Sequence, residues 1–159
     1  MERITGNRMK NIKIENIDFE DVELIHMKQD YHKCYVKMYS VQNGFPSPAE
    51  DFEGEKLSLD EKYLSKFEST YFAKAKGISN RPTIRENDIL IIRADLTVND
   101  GDLAIVSINN SKFTTKRVDL TNKRLIPDNK DFPEIVLQEG DTVIIMGKVH
   151  AYVREDLSK

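Results

Sequence analysis

Thr70-Tyr71-Phe72-Ala73-Lys74-Ala75-Lys76-Gly77-Ile78-Ser79 opens the part of the chain that decides the fold. Thr70–Lys76 alternates loosely between apolar and polar residues and is rich in strand formers, so it reads as a β-strand ending on a glycine and a serine. Six further strand candidates follow at short intervals: Ile89–Arg93, Leu103–Ile108, Lys112–Leu120, Lys123–Pro127, Ile135–Leu137 and Thr142–Val153. Turn-forming clusters separate several of them: Asn99-Asp100-Gly101-Asp102, Asn109-Asn110-Ser111, Asp128-Asn129-Lys130 and Glu139-Gly140-Asp141. Short strands at this spacing predict a mostly-β domain, barrel-like with folded-over sheets.

Upstream the character changes. Leu57–Phe67 places apolar residues at Leu57, Leu59, Tyr63, Leu64 and Phe67, which predicts a short helix with Ser58 or Asp60 near its start. Before it lies Asn43-Gly44-Phe45-Pro46-Ser47-Pro48, where two close prolines cannot donate ladder hydrogen bonds. That segment is expected to be an extended loop. Residues 1–43 hold seven acidic and seven basic side chains and are neutral overall. Within them Ile12, Ile14, Ile17 and Phe19 hint at a short extended segment, and Tyr35–Val41 is a strand candidate. The expected organisation is a mobile N-terminal arm, 1–43, and a β domain, 44–159.

The bulk properties narrow the class. In 159 residues, 39% are hydrophobic and 32% charged, enough apolar material for one core under a heavily charged surface. The net charge of -3 lacks the basic excess of a protein that grips nucleic acid directly, so no sequence-specific DNA binding is expected. Cys34 is the only cysteine, which rules out an intramolecular disulfide. No apolar run nears the roughly 20 residues of a membrane helix, and Met1–Asn16 has no signal-peptide core. A reducing cytoplasm is the expected compartment. His26, His32 and Cys34 lack a recognisable zinc spacing, so neither a metal nor a cofactor is expected.

Three places could carry chemistry. Ser79 follows a glycine at a strand end, where a sharp turn can expose its hydroxyl. Lys116 lies within Phe113-Thr114-Thr115-Lys116-Arg117-Val118, sharing a strand face with Thr114. The Asn43-Gly44 bond precedes the proline pair. Singly, each has an ordinary reading: a turn, a solvated lysine and a type I′ hairpin turn. Pro46 and Pro48 weaken the last, because they spoil the return strand.

Together, and in this order, they resemble the UmuD-type members of the LexA-like Ser/Lys self-cleaving peptidase family. Tyr39–Asp51 resembles the cleavage segment, with its VQxGFPSPA-like stretch. Thr70–Ser79 resembles the strand leading to the nucleophilic serine. Asn87–Ile92 and Asp100–Ile105 resemble the two following turns and strands, Lys112–Arg117 the segment with the catalytic lysine, and Leu125–Asn129 the LIPxN stretch. The resemblance covers roughly residues 39–152. It departs at Asn80, where the family usually has methionine, and at Asn43, where it has a small residue.

What the resemblance implies is a Ser-Lys dyad. Ser79 is the nucleophile, and Lys116 is the general base that must first give up its own proton, which desolvation favours. Backbone N–H groups of Ile78 and Ser79 are the expected oxyanion donors. The substrate is the chain's own Asn43-Gly44 bond. The implied partners are a second copy in a homodimer, the RecA–single-stranded DNA filament as trigger, and the catalytic subunit of an error-prone translesion DNA polymerase. The competing readings are a LexA-like transcriptional repressor and a non-cleaving interaction module of the same fold. The first needs a basic helix-turn-helix domain, whereas residues 1–43 are short and neutral. A membrane-bound signal peptidase also uses serine and lysine, but no anchor is expected here.

Overall fold

The computed structural model describes residues 7–8, 20–25, 36–37 and 56–155. Residues 1–27 and 69–159 form one compact unit and residues 28–68 another. The smaller unit pairs β3 (Val36–Lys37) with β4 (Lys56–Leu57) antiparallel. It then forms a short helix, α1 (Leu59–Leu64). Ser58 caps that helix by accepting from the Glu61 backbone N–H at 3.3 Å, and Asp60 and Glu61 sit favourably in its first turn. The helix is shorter than the expected Leu57–Phe67, because Leu57 is taken by β4 and Phe67–Ser69 tightens into a 3₁₀ turn.

Among the described residues the larger unit is one nine-stranded sheet that curls into a half-barrel. It begins with β1 (Asn7–Arg8) and β2 (Val22–Ile25). Then follow β5 (Thr70–Ala75), β6 (Ile89–Arg93), β7 (Leu103–Ile108) and β8 (Thr114–Asp119). The last three are β9 (Arg124–Ile126), β10 (Ile135–Val136) and β11 (Val143–Val153). The spatial order is β10-β9-β8-β7-β11-β6-β5-β2, antiparallel throughout, with β1 parallel to β11. All seven strands expected after Thr70 are present, with ends within two residues of the expectation. Val22–Ile25 was not expected as a strand, yet it pairs with β5 from Val22↔Ala75 to Ile25↔Phe72.

β11 explains the curl. Its first half pairs with β7 and its second with β6, and it bulges at Ile145/Gly147 and again at Val149/Ala151. Each bulge adds bend and twist, so one long strand can serve both sides of a curving sheet. Two apolar clusters fill the two faces. Leu90, Ile92 and Ile105 lie in one, and Val106, Val118 and Leu125 in the other; all six are fully buried. Each such side chain contributes about 1.5–3 kcal/mol by leaving water. β7 is buried on both faces, which is why Leu103-Ala104-Ile105-Val106 reads as a continuous apolar run.

Gly147 sits where β11 passes from β7 to β6. A Cβ there would lie 2.8 Å from Ile92 Cγ2 and 3.0 Å from the Arg93 carbonyl oxygen. The backbone contact cannot yield by a side-chain rotation. Gly147→Ala is therefore expected to destabilise the chain by about 1–3 kcal/mol, read as a lower midpoint in thermal or urea unfolding. An unchanged midpoint would mean that this crossing is not tight.

Candidate active site

Ser79 lies just past the end of β5 and is half-buried. Its turn is held from three directions. The Lys76 N–H donates to the Asp21 carbonyl at 2.8 Å, which fixes the chain as it leaves β5. Asn129, after β9, donates its backbone N–H to the Ser79 carbonyl at 2.9 Å and its side-chain amide to the Ile78 carbonyl at 3.0 Å. The connection onward to β6 is tied by the Ile84 N–H to the Asn80 carbonyl at 2.9 Å, and by Asp88, which is 1% exposed. Arg154 grips Asp88 with two hydrogen bonds, of 2.8 and 2.6 Å. Burial pushes the Asp88 carboxyl up, but the Arg154 hydrogen bond, the Arg85 N–H and both positive charges hold it below its ordinary value.

Lys116 is in the middle of β8 and only 8% exposed. It faces the same way as Thr114, as strand alternation predicts, and lies opposite the fully buried Ala104 of β7. Its Nζ donates to the Thr114 hydroxyl at 2.9 Å and to the Thr115 carbonyl at 3.1 Å. The ordinary reading of a solvated surface lysine is thus excluded.

The serine and the lysine come to one peptide group. The Asn80 side-chain amide donates to the Thr115 carbonyl at 2.9 Å and reaches Ser79 Oγ at 3.4 Å. The same Thr115 carbonyl accepts from Lys116 Nζ. Asn80 also offers its side-chain oxygen to the Asp128 N–H at 3.5 Å, and it is buried. Among the described residues no hydrogen bond joins Ser79 Oγ to Lys116 Nζ directly; the two meet through Asn80 and Thr115.

Asp21 was not among the expected site residues. It accepts from the Thr115 N–H with both carboxylate oxygens at 3.1 Å, from the Thr115 hydroxyl at 3.2 Å and from the Thr114 hydroxyl at 3.3 Å. Burial pushes its carboxyl above the ordinary value; the Thr115 N–H, the Lys116 charge and the two hydroxyls oppose this without cancelling it. No local pattern marks Asp21, because the partners of its carboxylate lie more than 90 positions away. Asn80 did leave a signal, as the polar residue standing where the resemblance has methionine.

The Asn43-Gly44 bond, Cys34, His26 and His32 lie outside the described residues, as do most of the Tyr35–Val41 segment and Ile12–Phe19. Among the described residues no group of His, Cys, Asp and Glu could hold a metal ion, and no helix is long and apolar enough to cross a membrane.

Residues 35–150 match the family described as Peptidase S24-like. The chain belongs to that family. Among its relatives is Protein MucA of Salmonella typhimurium, 33% identical over 121 residues, which span 74% of this chain and 82% of MucA. Protein ImpA of Salmonella typhimurium is 31% identical over 109 residues, 68% of this chain and 74% of ImpA. The LexA repressor of Verminephrobacter eiseniae is 28% identical over 120 residues, 74% of this chain but 53% of that repressor. MucA and ImpA are of the UmuD type, so the expected membership is borne out at the level of family and type.

Within this S24-like frame Asn80 ties the serine turn to the lysine strand. Asn80→Leu removes its buried amide donor from the Thr115 carbonyl. We expect a loss of about 1–2 kcal/mol in urea unfolding, and weaker protection of the 79–80 turn in hydrogen exchange. Unaltered stability together with unaltered exchange would show that the bridge is not formed.

Proposed function

We propose that this chain is a self-cleaving UmuD-type protein, cutting its own Asn43-Gly44 bond with Ser79 and Lys116. The observation that carries the reading is the convergence of Ser79 Oγ and Lys116 Nζ on the Thr115 peptide group through the Asn80 amide. In this reading the segment around Asn43 docks at Ser79 and Lys116. Lys116, as the neutral amine, takes the Ser79 proton while Oγ attacks the Asn43 carbonyl carbon. The oxyanion that forms is met by the backbone N–H groups of Ile78 and Ser79, which have no hydrogen-bond acceptor among the described residues. Lys116 then passes its proton to the Gly44 nitrogen as the C–N bond breaks. Water hydrolyses the ester, leaving residues 1–43 and 44–159 as separate chains.

In the cell this reading makes the chain a cytoplasmic member of the SOS response. The RecA–single-stranded DNA filament acts as the trigger by selecting the docked conformer rather than by supplying chemistry. The trimmed form, as a homodimer, serves the catalytic subunit of a translesion DNA polymerase. The similarity to a LexA repressor supports a second reading, in which cleavage inactivates a regulator of transcription. Duplex DNA retention at physiological salt would favour that reading over the polymerase role.

The chemistry is tested by mass spectrometry of the chain after incubation at alkaline pH or with an activated RecA filament. Wild type should give fragments 1–43 and 44–159, faster as pH rises, because the neutral amine is the active form. Ser79→Ala and Lys116→Ala should stay intact. Lys116→Arg should too, because a guanidinium stays protonated. Fragments persisting in Ser79→Ala would point to a contaminating protease. An intact wild type under both conditions would leave a non-cleaving module of the same fold.

The dimer has its own test. Light scattering at about micromolar concentration should return twice the chain mass, as expected where exposed sheet edges are covered by a second copy. A monomer mass would remove the dimer from the reading.

A further inference from the structure

We propose that Asp21 is a positioning residue of the Ser79/Lys116 site, acting through the Thr114 hydroxyl to aim the lone pair of Lys116. This deepens the self-cleavage reading and rests on it.

Donor and acceptor chemistry sets the roles of these groups. A carboxylate only accepts hydrogen bonds, and a hydroxyl has one proton to give. Thr114 Oγ1 lies 3.3 Å from Asp21 Oδ2 and 2.9 Å from Lys116 Nζ. With its proton committed to Asp21, Thr114 can only accept from the lysine. The second partner of Nζ, the Thr115 carbonyl, is also acceptor-only. When Lys116 loses a proton it keeps two N–H groups, and both are already directed at these two oxygens. Its lone pair is therefore left on the remaining side. Without Asp21 the Thr114 hydroxyl is free to rotate and donate to that lone pair, which would occupy the base.

The placement of Asp21 is itself built. Its backbone carbonyl accepts from Lys76 and its neighbour Glu20 donates its N–H to the Phe113 carbonyl at 2.8 Å. Its Cβ lies 3.1 Å from where a Cβ of Gly77 would be, so the glycine before the serine turn leaves the space that Asp21 fills. Burial raises the Asp21 carboxyl, while the Thr115 N–H, the Lys116 charge and the two threonine hydroxyls favour its ionised, acceptor-only form.

The discriminating variant is Asp21→Asn. It keeps size and an acceptor for the Thr115 N–H, but turns an NH2 toward Thr114. That group donates to the hydroxyl oxygen and frees its proton for Lys116. Self-cleavage of the full chain is measured across alkaline pH, together with a melting curve. On the alkaline plateau Asp21→Asn should cleave roughly tenfold more slowly or worse. Placed on Thr114→Val, which has already lost the hydroxyl, Asp21→Asn should have no further effect. An additional drop of the same size in that background would make Asp21 a structural residue and overturn the proposal. Wild-type cleavage with an equally fast Asp21→Asn would overturn it too, while leaving the Ser79/Lys116 reading intact. No cleavage in the wild type would overturn both. Should Asp21→Asn lose its cooperative melt, Thr114→Ser and Thr114→Val decide: Ser near wild type with Val slow supports the relay, and equal rates reject it.

Discussion

Three strands separate β5 from β8 in the sheet, and only the curl brings their ends together. That closure is the constraint on which the site depends, because β5 delivers Ser79 and β8 carries Lys116. It is held by polar links rather than by a ladder. Glu20 and Asp21 span from Phe113 and Thr115 to Lys76, and Asn80 spans from the serine turn to the Thr115 carbonyl. Hydrogen bonds of this kind are each worth only about 0.5–1.5 kcal/mol net, but a buried group left unpaired costs more. The links therefore define the geometry of the opening more than they stabilise the fold. The stability itself lies in the two apolar clusters on the faces of β7.

The strands after Thr70 were legible because the signals are local. Turn residues such as Asn99-Asp100-Gly101-Asp102 bracket apolar runs whose burial on one or both faces dictates their period. The bends of β11 were not legible. Thr142–Val153 reads as one uninterrupted strand, and nothing in its composition shows that it changes partners from β7 to β6 at Gly147. Val22–Ile25 escaped for a related reason. Four residues, only some of them apolar, carry no usable periodicity, and the segment is a strand because the edge of β5 offers it a partner.

The candidate site divides in the same way. Ser79 and Lys116 could be nominated because they stand in motifs whose order and spacing match a known pattern. The residues that connect them could not. Asn80 was visible as an exception to that pattern, and its physical role explains the exception: an amide can bridge a hydroxyl and a carbonyl where a thioether cannot. Asp21 sits among charged residues, Glu20, Asp21 and Glu23, that look like a solvated segment. Glu23 fits that view, since it is exposed and pairs with Lys76 at 2.7 Å. Asp21 differs only through contacts with Thr114 and Thr115, which the linear sequence does not connect to it.

That position has a consequence for any cut at Asn43-Gly44. Asp21 and β2 are upstream of the bond, whereas Ser79 and Lys116 are downstream, so hydrolysis would leave the candidate site divided between two chains. The upstream piece would not be released by the cut alone. Val22 is buried in the core beside Ala73 and Ala75, four residues of β2 pair with β5, and Asp21 keeps its contacts to Thr114 and Thr115. Its departure would bare the β5 edge and open the space beside Gly77. Under the proposed self-cleavage, cutting the chain and dissolving the site would therefore be separate events, the second set by how long β2 stays paired. On that basis any structural change after such a cut would follow from the loss of β2 rather than from the broken bond itself.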